Sequence, residues 1–301
     1  MKRTIFNLAM IFLVPFAVLA TNPKKSKLIA KAASVVKLAD GFAFTEGPAA
    51  DKNGNVYFTD QPFNKIYVWT TEGNLETFHE NPGRANGLYF DHNGNLLSCS
   101  DLDNELWSIS ADKSHQKLVL DYQGKRLNGP NDLWVRPDGG IYFTDPLYVR
   151  PYWTRSPEME QNGEHVYFLF PDRKTLSRVT HDLVKPNGII GTPEGKKLYV
   201  ADIGAGKTYV YDIQADGSLA NKKLFAEMGS DGMTIDSKGN IYLTGNGVTV
   251  FDKNDRQIEH IKIDAAWTAN VCFGGKDMKT LFITASEYLY SLEMKVKGVT
   301  K

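Results

Sequence analysis

Cysteine is nearly absent. The 301 residues hold two, Cys99 and Cys272, and neither sits in a Cys-x-x-Cys or Cys/His spacing. Two cysteines do not make a disulfide framework, and no zinc finger can be assembled from them. Histidine is scarce too: the six, at 79, 92, 115, 165, 181 and 260, show no His-Glu-x-x-His pattern. No Gly-x-Ser-x-Gly marks a nucleophile elbow. An excess of charge is also missing. Thirty-five basic residues balance thirty-five acidic ones, and no basic run offers a footprint for nucleic acid. Long helical periodicities are absent as well.

One long apolar run exists, from Ile5 to Leu19. It follows Lys2 and Arg3 and ends at Val18-Leu19-Ala20, with no stop-transfer pattern behind it. That is the pattern of a secretory signal peptide over residues 1–20. It predicts export to the periplasm or the exterior and no membrane attachment after cleavage. Removing Lys2 and Arg3 leaves a mature chain of formal charge −2. Residues 21–33 read as a polar lead-in, 34–296 as the folded domain and 297–301 as a C-terminal tail.

The remainder is rich in short β-type runs: VYFTD at 56–60, GIYFTD at 140–145, KLYVAD at 197–202, NIYLTG at 240–245 and LFITA at 281–285. Gly, Asn and Asp clusters separate them, as in an all-β sandwich, barrel or propeller. A repeat decides among these. A turn glycine precedes five of the strands, at 54, 94, 139, 195 and 239, and Met278 takes its place in a sixth copy. Eight residues before each stand Glu46, Asn86, Asn131, Asn187, Asp231 and Asn270. The successive spacings are 40, 45, 56, 44 and 39 residues, the length of a four-stranded propeller blade. The fold class is therefore an all-β, six-bladed β-propeller. The N-terminal strand Ser34–Leu38 is expected to complete the last blade and so remove a free sheet edge. The long 131-to-187 spacing holds an insertion, Pro146 to Glu164, that forms either a rim or lid or a decorated surface loop.

In each copy the polar residue precedes the first strand, which in a propeller lines the central channel. Six polar side chains at one register should then form a ring at one depth. Asn and Asp also favour turns for local reasons, and Asp231-Gly232 alone reads as a turn pair. Glu46 does not, because glutamate is not a turn residue. Four of the ring members, Glu46, Asn131, Asn187 and Asp231, offer oxygen ligands with two negative charges. That set suits a hard divalent cation, Ca²⁺ first, with Mg²⁺, Mn²⁺ and Zn²⁺ as alternatives. Gly204-Ala205-Gly206-Lys207 resembles a phosphate loop, but a strand and no helix follows it.

The stretches FTEGPAADKNGNVYFTD, KRLNGPNDLWVRPDGGIYFTDP, PNGIIGTPEGKKLYVAD and SDGMTIDSKGNIYLTG resemble the SMP-30/gluconolactonase family, in order and over residues 35–295. The resemblance is to its bacterial gluconolactonase-like branch. It implies Glu46, Asn131, Asn187 and Asp231 as metal ligands, one divalent cation in the channel, and hydrolysis of a small-molecule sugar lactone. Related propellers cleave phosphotriesters, and others have lost the metal chemistry, which leaves an esterase or phosphotriesterase and a non-catalytic binding propeller as alternatives. Asp231 is the implied general base. A carboxylate bound to a dication is a weak base, so it must loosen in turnover or leave activation of the water to the cation. Asn86 and Asn270 are candidates for contact with substrate hydroxyls, and His165, just after the insertion, could reach the pocket. Animal members carry an arginine two residues before the ligand Asn. Here that place is Gly129, with Arg126 the nearest candidate further back. The two cysteines fall in blades two and six and are expected not to bridge each other.

Overall fold

The computed structural model describes residues 26–299, all strand and loop, so the segment read as a signal peptide lies outside the described residues. Six four-stranded antiparallel sheets follow one another along the chain. The first strands of neighbouring blades contact each other around a closed ring, blade six meeting blade one. The ring closes as the repeat required: Val36–Ala39 pairs antiparallel with Tyr288–Glu293, setting Val36 opposite Ser291. The flanking segments are packed despite their polar composition. Leu28 and Val296 are buried, and the Ser237 N–H donates to the Lys297 carbonyl at 2.8 Å, so the C-terminal segment laces blade six to blade five.

The strands carry near-continuous apolar runs because each blade buries both faces against its neighbours. In Val56–Asp60, Val56 and Phe58 pack towards blade six while Tyr57 packs with Phe78 and Phe90 towards blade two. Trp134 and Phe168 of blade three similarly reach the cluster built by blades four and five. Each such side chain contributes roughly 1.5–3 kcal/mol by leaving water.

Two features of the repeat have local causes. The turn glycine is left-handed in all five copies (φ of +89° at Gly54 and +92° at Gly139), and Met278 adopts the same region at +53°. In three copies an aspartate four residues before the closing Asn braces the turn, as where the Asp51 carboxylate accepts the N–H groups of Asn53 and Asn55. At the other end of the second strand, a threonine ties blade one to blade two and another ties blade five to blade six. Thr59 donates to the Asn86 carbonyl at 3.0 Å and Thr244 to the Ala269 carbonyl at 2.7 Å. In blades one, three and four the aspartate that ends the second strand holds the segment leading into the ring: Asp60 accepts from Ala43 and Phe44, Asp145 from Asn128 and Gly129, Asp202 from Val184 and Lys185.

Cys99 and Cys272 are buried thiols on the strands Leu96–Ser100 and Asn270–Gly274, in blades two and six, and do not join each other.

Candidate functional site

The ring residues begin the channel strands. Glu46, Asn86 and Asn187 are each second in their strand, Asn131 and Asp231 lie two residues before theirs, and Asn270 starts its own. Pairing with the second strand shifts register just after Glu46, Asn86 and Pro186, and such bulges re-aim a side chain. A glycine follows four ring members for a reason other than turning. A Cβ on Gly47 would stand 2.0 Å from the Asn86 carbonyl oxygen, and one on Gly232 would stand 1.9 Å from Cγ of Asn270. The channel strands approach too closely for a side chain there. Asp231-Gly232 is thus a close-approach pair and not a turn pair, since Gly232 is not left-handed.

Glu46, Asn86, Asn131 and Asp231 line one cavity of about 260 Å³ at the channel mouth. Asn187 joins them: its Nδ2 donates to Asp231 Oδ1 at 2.8 Å and to the Tyr148 hydroxyl at 3.0 Å. Below the ring lies a second cavity of about 270 Å³, lined mainly by apolar channel residues such as Leu88 and Ile189. The chemistry faces the first.

Glu46 is buried and Asp231 half-buried, and both lack an ion-pair partner among the described residues. Burial pushes Glu46 well above the usual carboxylate range, and the Asp231 charge pushes it further, against one hydrogen bond from the Gly47 N–H at 2.9 Å. Burial raises Asp231 as well. The indole N–H of Trp267, 2.6 Å from Oδ2, and the Asn187 amide pull it back. Asn86 Oδ1 and Asn187 Oδ1 are buried with no hydrogen-bond partner among the described residues. Two uncompensated carboxylates and two orphaned amide oxygens at one depth form an oxygen donor set that fits a hard divalent cation. No three His, Cys, Asp or Glu side chains gather as a metal site among the described residues, because half of this donor set is amide.

Three of the expected substrate contacts lie elsewhere. Asn270 sits beneath Gly232, accepts the Val271 N–H at 2.8 Å and hydrogen-bonds towards the Glu46 and Asp132 carboxyl groups. It positions Glu46 and does not line the mouth. Arg126 is consumed by the insertion, ion-paired with Glu160 at 3.0 Å and donating to the Ser156 and Glu158 carbonyls. His165 is buried behind the insertion, with Nε2 at 3.0 Å from Asn162 Oδ1 and the Arg178 guanidinium beside it. Burial first, then Arg178, lowers its pKa from 6.5 to about 4. A histidine neutral when folded but protonated when unfolded supports stability above pH 6.5, and that support is lost as pH falls towards 4. Relative to pH 7.5, wild type should lose roughly 1–2 kcal/mol more than His165→Gln by about pH 5. Equal losses of unfolding free energy in the two proteins, from urea melts at the two pH values, would refute this.

The insertion builds a wall. Tyr152 and Trp153 both donate to the buried Asp101 of blade two, Trp153 at 3.2 Å, and Arg155 donates to Asn104 at 2.6 Å. So pinned, it presents Tyr148 and Arg150 to the cavity. Trp153 also lies over Gly129, where a Cβ would meet Asp101 at 3.0 Å, so any side chain there would crowd that carboxylate. Trp267 and Phe44 complete the mouth. Tyr148 and Arg150 belong to the insertion marked as a rim. Trp267 has no counterpart in the repeat and left no signal.

Residues 44–287 match the profile of the SMP-30/Gluconolactonase/LRE-like region. The chain belongs to this family. It is similar to a gluconolactonase of Zymomonas mobilis, 27% identical over 92% of the chain and 86% of that protein. A gluconolactonase structure from Xanthomonas campestris superposes with a TM-score of 0.79 at 30% identity, covering 89% of this chain and 94% of that one. Diisopropyl-fluorophosphatase of Loligo vulgaris is 26% identical over 83% of the chain and 88% of its own length.

Proposed function

We propose that this family member is an exported lactonase that opens sugar lactones with one divalent cation, Ca²⁺ first, held by Glu46, Asn131, Asn187 and Asp231. The observation that carries the reading is the convergence on one small cavity of two carboxylates without ion-pair partners, one buried and one half-buried, and of orphaned amide oxygens. A binding propeller gains nothing from that arrangement, since buried charge without a partner is costly.

When bound, such a cation supplies Lewis-acid polarisation of an ester carbonyl. The chain's residues do the rest. Trp267 holds Oδ2 of Asp231 and Asn187 holds Oδ1, so the carboxylate is oriented before substrate arrives. Asp231 accepts a proton from the attacking water. The water oxygen bonds to the carbonyl carbon, the ring C–O bond breaks, and the freed ring oxygen takes the proton to become a hydroxyl. The product is the open-chain aldonate. Asn86 and Tyr148 are placed to meet sugar hydroxyls, and Phe44 and Trp267 exclude water at the mouth.

The same oxygens suit a phosphoryl group, and the likeness to a fluorophosphatase favours phosphotriester hydrolysis as the second reading. Metal-stripped protein resupplied with Ca²⁺, Mg²⁺, Mn²⁺ or Zn²⁺ should hydrolyse D-glucono-1,5-lactone well above background. Turnover of a phosphotriester alone would favour the second reading. Turnover of neither with any metal would leave a binding propeller with a structural ion.

A further inference from the structure

Arg150 is the basic residue of the cavity wall, and its side chain is not used up by the fold. Its Nε is buried and makes no hydrogen bond. Asp101 stands at ion-pair distance, 3.8 Å from Nε, but the Asp101 oxygen that faces it already accepts from Tyr152 and Trp153. The guanidinium lies 5.3 Å from the centroid of the Tyr148 ring, which limits its orientations. Two further guanidiniums pack on the insertion. Arg84 covers Tyr152 and Arg155 covers Trp153, and neither forms an ion pair among the described residues. Arg150 and Arg155 both face the buried Asp101, which Tyr152 and Trp153 already engage. A dication in the ring would offset Glu46 and Asp231, which leaves the Arg150 charge at this side of the mouth.

A neutral polyol does not require that field, whereas an oxyanion does. A guanidinium with unspent donors, held on a pinned loop beside an aromatic face, is the usual means of binding an oxyanion through paired hydrogen bonds. We infer that Arg150 is a specificity-determining residue that binds an oxyanion (carboxylate, sulfonate or phosphate) at the end of the substrate remote from its lactone carbonyl. The preferred substrates would then be acidic sugar lactones. This rests on the lactone reading above.

The test compares Ca²⁺-loaded wild type, R150K and R150M on D-glucono-1,5-lactone and on lactones bearing a carboxylate, a sulfonate or a phosphate at carbon 6. Wild type should favour at least one charged lactone by about tenfold or more in kcat/KM, expressed in KM, and the best of the three identifies the oxyanion. R150M should reduce that preference ratio by roughly 10- to 100-fold, the loss of a charge-assisted hydrogen bond, and R150K should retain part of it. A ratio near one in wild type, or one unchanged in folded R150M and R150K, overturns the inference. Calorimetry with D-glucarate and D-gluconate separates the two claims. If no lactone is hydrolysed but glucarate binds about tenfold tighter and R150M or R150K erodes the advantage, the oxyanion site at Arg150 stands and the lactonase reading falls. If lactones are hydrolysed and glucarate has no such advantage, the inference falls alone.

Discussion

Asp231→Asn should lower kcat on D-glucono-1,5-lactone by about 10³-fold, within the range for loss of a general base. The amide keeps the shape of the carboxylate and one oxygen donor, so it can still accept from Asn187 or from Trp267 but not from both, and it cannot take a proton from water. Folding should not suffer. Asp231 faces Glu46 and has no ion-pair partner among the described residues, so a neutral isostere relieves a repulsion that offsets the lost hydrogen bond. In metal-stripped protein the variant should melt no lower than wild type. Added Ca²⁺ should raise the wild-type melting temperature more than that of the variant, because only wild type offers two carboxylates to the ion. Near-normal turnover in the variant would remove Asp231 from the chemistry. A large drop in melting temperature without metal would mean that its charge is structural.

The architecture was legible because a propeller repeats its reasons. The left-handed turn residue and the apolar strand buried on both faces recur every thirty-nine to fifty-six residues, so the spacing alone located the channel strands. The ring followed from the same register. Glu46, Asn86, Asn131, Asn187 and Asp231 meet at the mouth because homologous positions in a closed repeat share one depth. Asn270 broke the rule for a steric reason. It lies under Gly232, so its amide turns towards Glu46 and Asp132 and away from solvent.

The rest of the cavity lining was less legible because it comes from segments outside the repeat. Arg126 and His165 are near the insertion in sequence, yet their side chains are taken by Glu160 and by Asn162. Proximity in the chain said nothing about direction. Arg150 lies within the same nineteen residues and does reach the cavity, because Tyr152 and Trp153 anchor the loop on Asp101 in the neighbouring blade. That anchor is a contact between blades, and no local pattern encodes it. Trp267 is a similar case: a loop residue before Asn270 whose indole happens to lie over Asp231.

Removal of the cation should have the other large effect, since the donor set has no alternative counter-charge. Two carboxylates and the amides of Asn86, Asn131 and Asn187 converge at the channel mouth, and no lysine or arginine stands within ion-pair distance of either carboxylate among the described residues. Chelation should therefore abolish at least about 99% of lactone hydrolysis, the scale expected when Lewis-acid stabilisation of several kcal/mol is withdrawn. The decisive measurement is a Ca²⁺ titration of the stripped protein by calorimetry, with lactonase activity read at each step. One ion should bind per chain, activity should rise in proportion to occupancy, and Glu46→Gln should weaken binding by tenfold or more, roughly the value of one charged ligand. Full activity in the stripped protein, or one-site binding that Glu46→Gln leaves untouched, would contradict the assignment of this ring as a catalytic metal centre.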